Sequence, residues 1–186
     1  MLFLQFDGLY RGAPQELKLG EGAGVMGYGG VIFRERAVIA RGHGGYMRAK
    51  DASSNVAEYL ALIEGLEALL DMGGENEVVV ISGDAKSVIE QMQGLAAVSA
   101  ASIRPLYRRA RRLNAKFARA YWNWTPRRHN HEADALTRRA LRQLRANPDQ
   151  YEAAFKALNP ENHKTGLMNR LLPVLDLRLY KTVGAV

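Results

Sequence analysis

The sequence predicts an α/β domain built on a mixed five-stranded sheet, three antiparallel strands followed by parallel ones, with helices on its faces. Two patterns and a composition point to it. The first 47 residues carry three apolar runs broken by glycines and turn pairs, with no helical period. Residues 53–145 then alternate helical and strand patterns. The 186 residues are 47% apolar and 24% charged, enough to bury one real core.

Residues 2–6 (LFLQF) form a short apolar run ending in Asp7-Gly8 and read as a buried strand, with residues 9–21 as a polar loop. Residues 24–34 (GVMGYGGVIFR) and 37–47 (AVIARGHGGYM) read as two strands joined by a turn at Glu35-Arg36. Eleven of the eighteen glycines fall in the first 45 residues. Glycine weakens a strand unless the backbone must bend or something must approach it closely, so these glycines mark either bulges or a surface for a ligand backbone.

Residues 53–70 (SSNVAEYLALIEGLEALL) give the clearest helix. Ser53 or Ser54 caps it, Val56, Tyr59, Leu60, Ile63, Leu66 and Leu70 form an apolar stripe, and Gly73-Gly74 stops it. EVVVI (77–81) is β-branched and continuous, as in a strand covered on both faces. Residues 84–93 read as a helix. Residues 102–116 form a basic helix with Pro105 in its first turn. Residues 117–125 alternate as a strand that places Trp122 and Trp124 in the core, and 130–145 form an amphipathic helix. The character changes after Asn147-Pro148. We therefore expect a domain at 1–146 and a C-terminal extension at 147–186 packed on it. The extension has a short helical pattern at 151–158 and a late apolar run, LLPVLDLRLY (171–180), suited to an added strand or helix or to a subunit contact.

Composition excludes several classes. No apolar run approaches the ~18–20 residues that span a bilayer, so no membrane partner is expected. The N-terminus lacks a basic n-region and cleavage site. The absence of cysteine removes disulfides, thiolate catalysis and cysteine-bound zinc, and points to a reducing, cytoplasmic compartment. The net charge of +7 favours polyanionic partners. Residues 95–131 contain nine Arg or Lys and no acid, so the positive charge is concentrated.

Four acids stand at the ends of predicted elements: Asp7 in FDG, Glu58 one turn into the first helix, Asp84 in ISGD, and Asp134 in NHEAD. Singly, each has an ordinary explanation: a turn, an exposed helical residue, an N-cap, and a charge near a helix N-terminus. On this order of elements they can converge on one edge of a sheet. Gathered carboxylates repel one another and resist desolvation unless cations neutralise them. An all-oxygen set selects Mg²⁺ or Mn²⁺, and two such ions suit in-line attack on a phosphodiester.

The ordered set FDG, SSNVAEYLALIEGL, VVVISGDAKSVIEQM and TPRRHNHEADALTRRA resembles type 1 ribonuclease H over about residues 1–145. It is most similar to the compact prokaryotic branch, with its TNNVAEY-like helix and its PRxxNxxAD motif. The resemblance implies a ribonuclease H-like fold and a hydrolase that cuts the RNA strand of an RNA/DNA hybrid, leaving 5′-phosphate and 3′-hydroxyl ends. It implies two Mg²⁺ ions, with Mn²⁺ as substitute, held by Asp7, Glu58, Asp84 and Asp134; Asp7 would bridge them. It places Asn55 in the substrate's minor groove and Ser53 on a DNA-strand phosphate, with Ser54 where a second asparagine is usual. Gly8 and Asn130 join this substrate-binding set. Arg128, or else His129, takes the place of the loop histidine that aids proton transfer or product release. A monomer is expected. Two other readings stay open: a non-catalytic nucleic-acid-binding module on this fold, and a nuclease for another duplex such as double-stranded RNA.

Overall fold

The computed structural model describes residues 1–13, 21–147, 149, 152–154, 156 and 171–181, the last seven by their backbone alone. The predicted helix at 151–158 and the loop at 14–20 lie largely or wholly outside them. Strands β1 (Leu2–Gly12), β2 (Gly24–Arg34) and β3 (Ala37–Arg48) form an antiparallel meander. Helix α1 (Ser54–Asp71), strand β4 (Val78–Gly83), helices α2 (Lys86–Gln93) and α3 (Arg104–Asn114), strand β5 (Arg119–Trp124) and helix α4 (His131–Arg145) follow. A further strand, β6 (Leu172–Lys181), comes from the extension. The sheet order is β5-β4-β1-β2-β3-β6. The β1–β4 and β4–β5 pairs are parallel, as the α-helical crossovers require.

The expected five-stranded sheet therefore has a sixth strand. The apolar run of the extension pairs antiparallel with β3, from Ala40↔Lys181 to Met47↔Leu172. β3 would otherwise offer an open row of backbone donors and acceptors. Pro173 is tolerated because β6 is an edge strand.

β1 runs past its predicted end. It pairs with β2 along its whole length, from Leu2↔Arg34 to Gly12↔Gly24, so Asp7 sits mid-strand rather than in a turn. Gly8 is there because α1 crosses it. A Cβ at Gly8 would stand 2.3 Å from the Ala57 carbonyl carbon. On the opposite face, a Cβ at Gly29 would stand 2.6 Å from the Ala133 carbonyl oxygen of α4. At these two positions the glycines admit helix backbone, which is neither a bulge nor a ligand surface.

α1 is buried almost all round, not on a single stripe, because the sheet lies on one side and α3 on the other. Its N-cap is Ser53, whose Oγ accepts from the Val56 N–H at 3.2 Å. The main core joins Leu2, Leu4 and Phe6 of β1 to Leu60, Ile63 and Leu66 of α1 and to Leu106 of α3. α4 packs on the other face, where Leu141 and Leu144 meet Val25 and Met47. Each such leucine contributes about 2–5 kcal/mol relative to alanine. Trp122 is partly buried against the core, whereas Trp124 is 46% exposed, its indole N–H donating to the Asp84 carbonyl at 3.1 Å. β5 is the other edge of the sheet, with less to cover it than an interior strand has.

Candidate active site

Parallel pairing of β1 with β4 ends at Phe6↔Gly83, so Asp7 and Asp84 are each the next residue along adjoining chains. α1 lays Glu58 over the same point, because its backbone rests on Gly8. Carboxylate oxygens of Asp7, Glu58 and Asp84 lie within 4.8 Å of one another. Asp7 is 3% exposed and Glu58 9%. The Gly8 N–H bonds to the Glu58 carboxylate, while Glu58 Oε2 is buried with no hydrogen-bond partner.

Burial, then the charge of Asp84, pushes the Asp7 carboxyl up to about 7. Burial, then Asp7 and Asp84, pushes Glu58 well above the usual carboxylate range. Without a cation Asp7 and Glu58 therefore hold protons that ordinary carboxylates release. An all-oxygen donor set with one orphaned buried oxygen fits a hard divalent cation.

Asp134 lies in the first turn of α4 and is held differently. Arg127 Nη2 donates to it at 2.5 Å and Arg138 Nε at 2.6 Å. Burial alone would raise its pKa, but these two guanidiniums outweigh burial and hold it below the usual value. Its charge still raises Asp7, so it belongs to the same electrostatic neighbourhood, outside the tight three-residue cluster.

The loop before α4 departs from expectation. Arg128 and His129 are exposed on a short 3₁₀ turn (Arg127–His129) and bond to each other, Arg128 Nε to His129 Nε2 at 3.1 Å. Arg127 is the residue that reaches the carboxylates. It is also the arginine directly after the proline, which is where the PRxxNxxAD pattern has its arginine, so the signal was in the motif. Asn130 is fully buried rather than open to a substrate. Its Nδ2 donates to the Phe6 carbonyl at 2.8 Å and reaches Asp84 Oδ1 at 3.4 Å, tying the loop to β1 and to the site. Gly8 is likewise covered by α1, with its N–H engaged by Glu58. Ser54 and Asn55 are exposed at the start of α1, and Asn55 Oδ1 accepts from Ser87 Oγ at 3.2 Å.

Two further residues gave no sequence signal. Thr137 is buried one turn along α4, its Oγ1 3.0 Å from the Asp7 carbonyl, which fixes α4 to the strand that carries Asp7. Arg48 ends β3 and is only 9% exposed, yet its Nε has no hydrogen-bond partner. It lines a cleft of about 330 Å³ with Asp51, Ser102, Pro105 and Leu171.

Known proteins resemble this chain in sequence and in fold. The model of the family described as reverse transcriptase-like matches residues 18–140. The bifunctional protein Rv2228c of Mycobacterium tuberculosis is 34% identical over 140 residues, 74% of this chain and 35% of that protein. Ribonuclease HI of Halobacterium salinarum is 34% identical over 136 residues, 73% of this chain and 62% of that protein. This chain thus matches about a third of the mycobacterial protein and about three fifths of the halobacterial one. The solved N-terminal RNase H domain of Rv2228c superposes with a TM-score of 0.65 at 30% identity, over 76% of this chain and 94% of that one. The solved RNase H1 of H. salinarum gives 0.63 at 31%, over 76% and 98%. The chain therefore belongs to the reverse transcriptase-like family and carries the fold of the type 1 ribonucleases H.

Proposed function

We propose that this chain is a divalent-metal-dependent endonuclease that hydrolyses the RNA strand of RNA/DNA hybrids, leaving 5′-phosphate and 3′-hydroxyl ends. The observation that carries the reading is the convergence of Asp7, Glu58 and Asp84, the first two buried with raised pKa values and one Glu58 oxygen orphaned. Similarity to proteins named ribonuclease HI and RNase H1 supports an RNA substrate, and the resemblance of the four motifs to type 1 ribonuclease H suggests the hybrid.

On this reading Asp7, Glu58, Asp84 and Asp134 would hold two Mg²⁺ or Mn²⁺ ions. When bound, the ions supply the Lewis acidity that lowers the pKa of water and stabilises charge on the departing oxygen. The protein's own groups do the rest. Asn130 orients Asp84 and anchors the loop to β1. Arg127 and Arg138 fix the Asp134 rotamer and keep it ionised. Asn55 and Ser54, exposed at the start of α1, face the minor groove, where the 2′-hydroxyl distinguishes RNA from DNA. Ser53 Oγ accepts within the helix cap, which leaves its proton to donate to a phosphate. The unpartnered Arg48 Nε offers the DNA strand a phosphate pocket in the neighbouring cleft. The catalytic unit spans residues 1–146, and the extension contributes β6.

The test is cleavage of an end-labelled RNA/DNA hybrid across a Mg²⁺ and Mn²⁺ titration, with EDTA as control and the product ends identified. Metal-dependent cutting confined to the RNA strand supports the proposal. Binding without cleavage at every metal concentration would assign a nucleic-acid-binding module instead. Equal cutting of double-stranded RNA would remove the hybrid specificity.

A further inference from the structure

Outside the carboxylate site, a groove between β1 and α4 gathers four arginines. Its floor is Leu9 and Leu141, and its walls are Arg11, Arg138, Arg142 and Arg145, around a volume of about 170 Å³. Arg138 is also the residue that bonds Asp134, so the groove begins at the catalytic edge and leads away from it. Along α4, Arg138, Arg142 and Arg145 follow at four and three residues and share one edge of the helix. Arg11 comes from the far end of β1 and faces them.

Among the described residues Arg11, Arg142 and Arg145 make no ion pair, while Glu132 pairs with Arg41 and Asp134 with Arg127 and Arg138. Like charges at this spacing repel, and all four arginines are exposed, where a polyanion can reach them. The helix dipole favours arginines in the last turn of α4, but it gives no account of Arg11, which lies on a strand. An arginine set around an apolar floor is complementary to a row of phosphates, each guanidinium offering paired donors.

We propose that this groove is a second phosphate-binding track, which grips the backbone of the nucleic acid several nucleotides from the scissile bond. This inference rests on the hybrid-nuclease reading and deepens it. From Asp134 to Arg145 is eleven residues of helix, about 16 Å. At about 3.4 Å of duplex axis per phosphate along a strand, the groove lies up to about five phosphates from the carboxylates. Long substrates therefore reach it and very short ones do not.

The experiment compares an Arg11→Gln, Arg142→Gln, Arg145→Gln triple variant with its parent, both in an Asp7→Asn background with Mg²⁺. Hybrid affinity is read by fluorescence anisotropy over a salt series, on hybrids of about 6 and about 20 base pairs. The expected result is a loss of affinity on the long hybrid at least tenfold greater than the loss on the short one. The slope of log affinity against log salt should fall by about 2–3, since each lost phosphate contact removes about 0.9. A matching triple lysine variant, which keeps the charge, should recover most of the affinity; circular dichroism checks the fold of both. If the parent binds hybrid and the folded glutamine variant matches it in affinity and slope, the track is refuted and the nuclease reading stands. A folded lysine variant that binds no better than the glutamine one also refutes it. If the parent binds no hybrid at all, the nuclease reading falls and takes the track with it.

Discussion

Asp7→Asn exchanges a buried carboxylate for an amide of the same shape, and it should abolish cleavage while making the metal-free protein more stable. In the folded chain Asp7 holds its proton up to about pH 7, against 3.8 for an ordinary aspartate. Between these values the folded state binds a proton that the unfolded state has released. Stability of the metal-free wild type therefore falls as pH rises from about 4 to 7 and levels off above. About three units at about 1.4 kcal/mol each set a ceiling near 4 kcal/mol at pH 8. Part of this comes from the charge of Asp84, which salt screens, so we expect a gain of about 2–3 kcal/mol for the asparagine variant. Its stability should also fall less with pH, because Asp7 is one cause of the raised Glu58 pKa. Urea unfolding in EDTA at pH 4.5, 6, 7 and 8 measures both effects. An asparagine variant no more stable than wild type at pH 8 would refute the electrostatic argument. So would a wild type whose metal-free stability climbs over that range.

Added Mg²⁺ should reverse the order: at a hundredfold excess over its dissociation constant it stabilises wild type by about 2.7 kcal/mol, and the Asp7→Asn variant by much less, as thermal melts with and without metal will show. Gly8→Ala should destabilise by about 3 kcal/mol or more in denaturant titration, since its methyl would meet α1 backbone at 2.3 Å. Arg127→Gln should lower kcat on a hybrid about tenfold yet cost under about 1 kcal/mol of stability, because its ion pair with Asp134 is solvent-exposed, whereas Arg128→Gln should change kcat less than about twofold; steady-state kinetics beside thermal melts separates the two arginines. Deleting residues 171–186 should lower the melting temperature and promote association visible by light scattering, because β3 loses its neighbour.

The acids were legible because each sits where a pattern changes: Asp84 after a β-branched run, Glu58 inside a capped apolar helix, Asp134 at the start of an amphipathic one. Side-chain direction was not legible. No periodicity separates Arg127 from Arg128, and the 3₁₀ turn decides which one faces Asp134. Asn130 reads as a polar surface residue until the loop folds it against Phe6, a contact 124 residues distant in sequence. The length of β1 was hidden because Asp7-Gly8 is turn chemistry in local terms, and only the approach of α1 explains a glycine there. The sixth strand was legible as apolar material, but its partner was set by the open side of β3, which no local pattern announces.

The placement of β6 also bears on how these molecules behave when crowded. Sheets grow by recruiting strands wherever a margin stands bare, and one copy can template the next. Here one margin is occupied by the molecule's own late segment, interrupted by Pro173. The other ends in β5, six residues long and opened by Arg119. Among the described residues a chain with so apolar an interior is thereby left with no long, flat border for a neighbour to extend, and its resistance to association at high concentration depends on the strand Leu172–Lys181 staying in place.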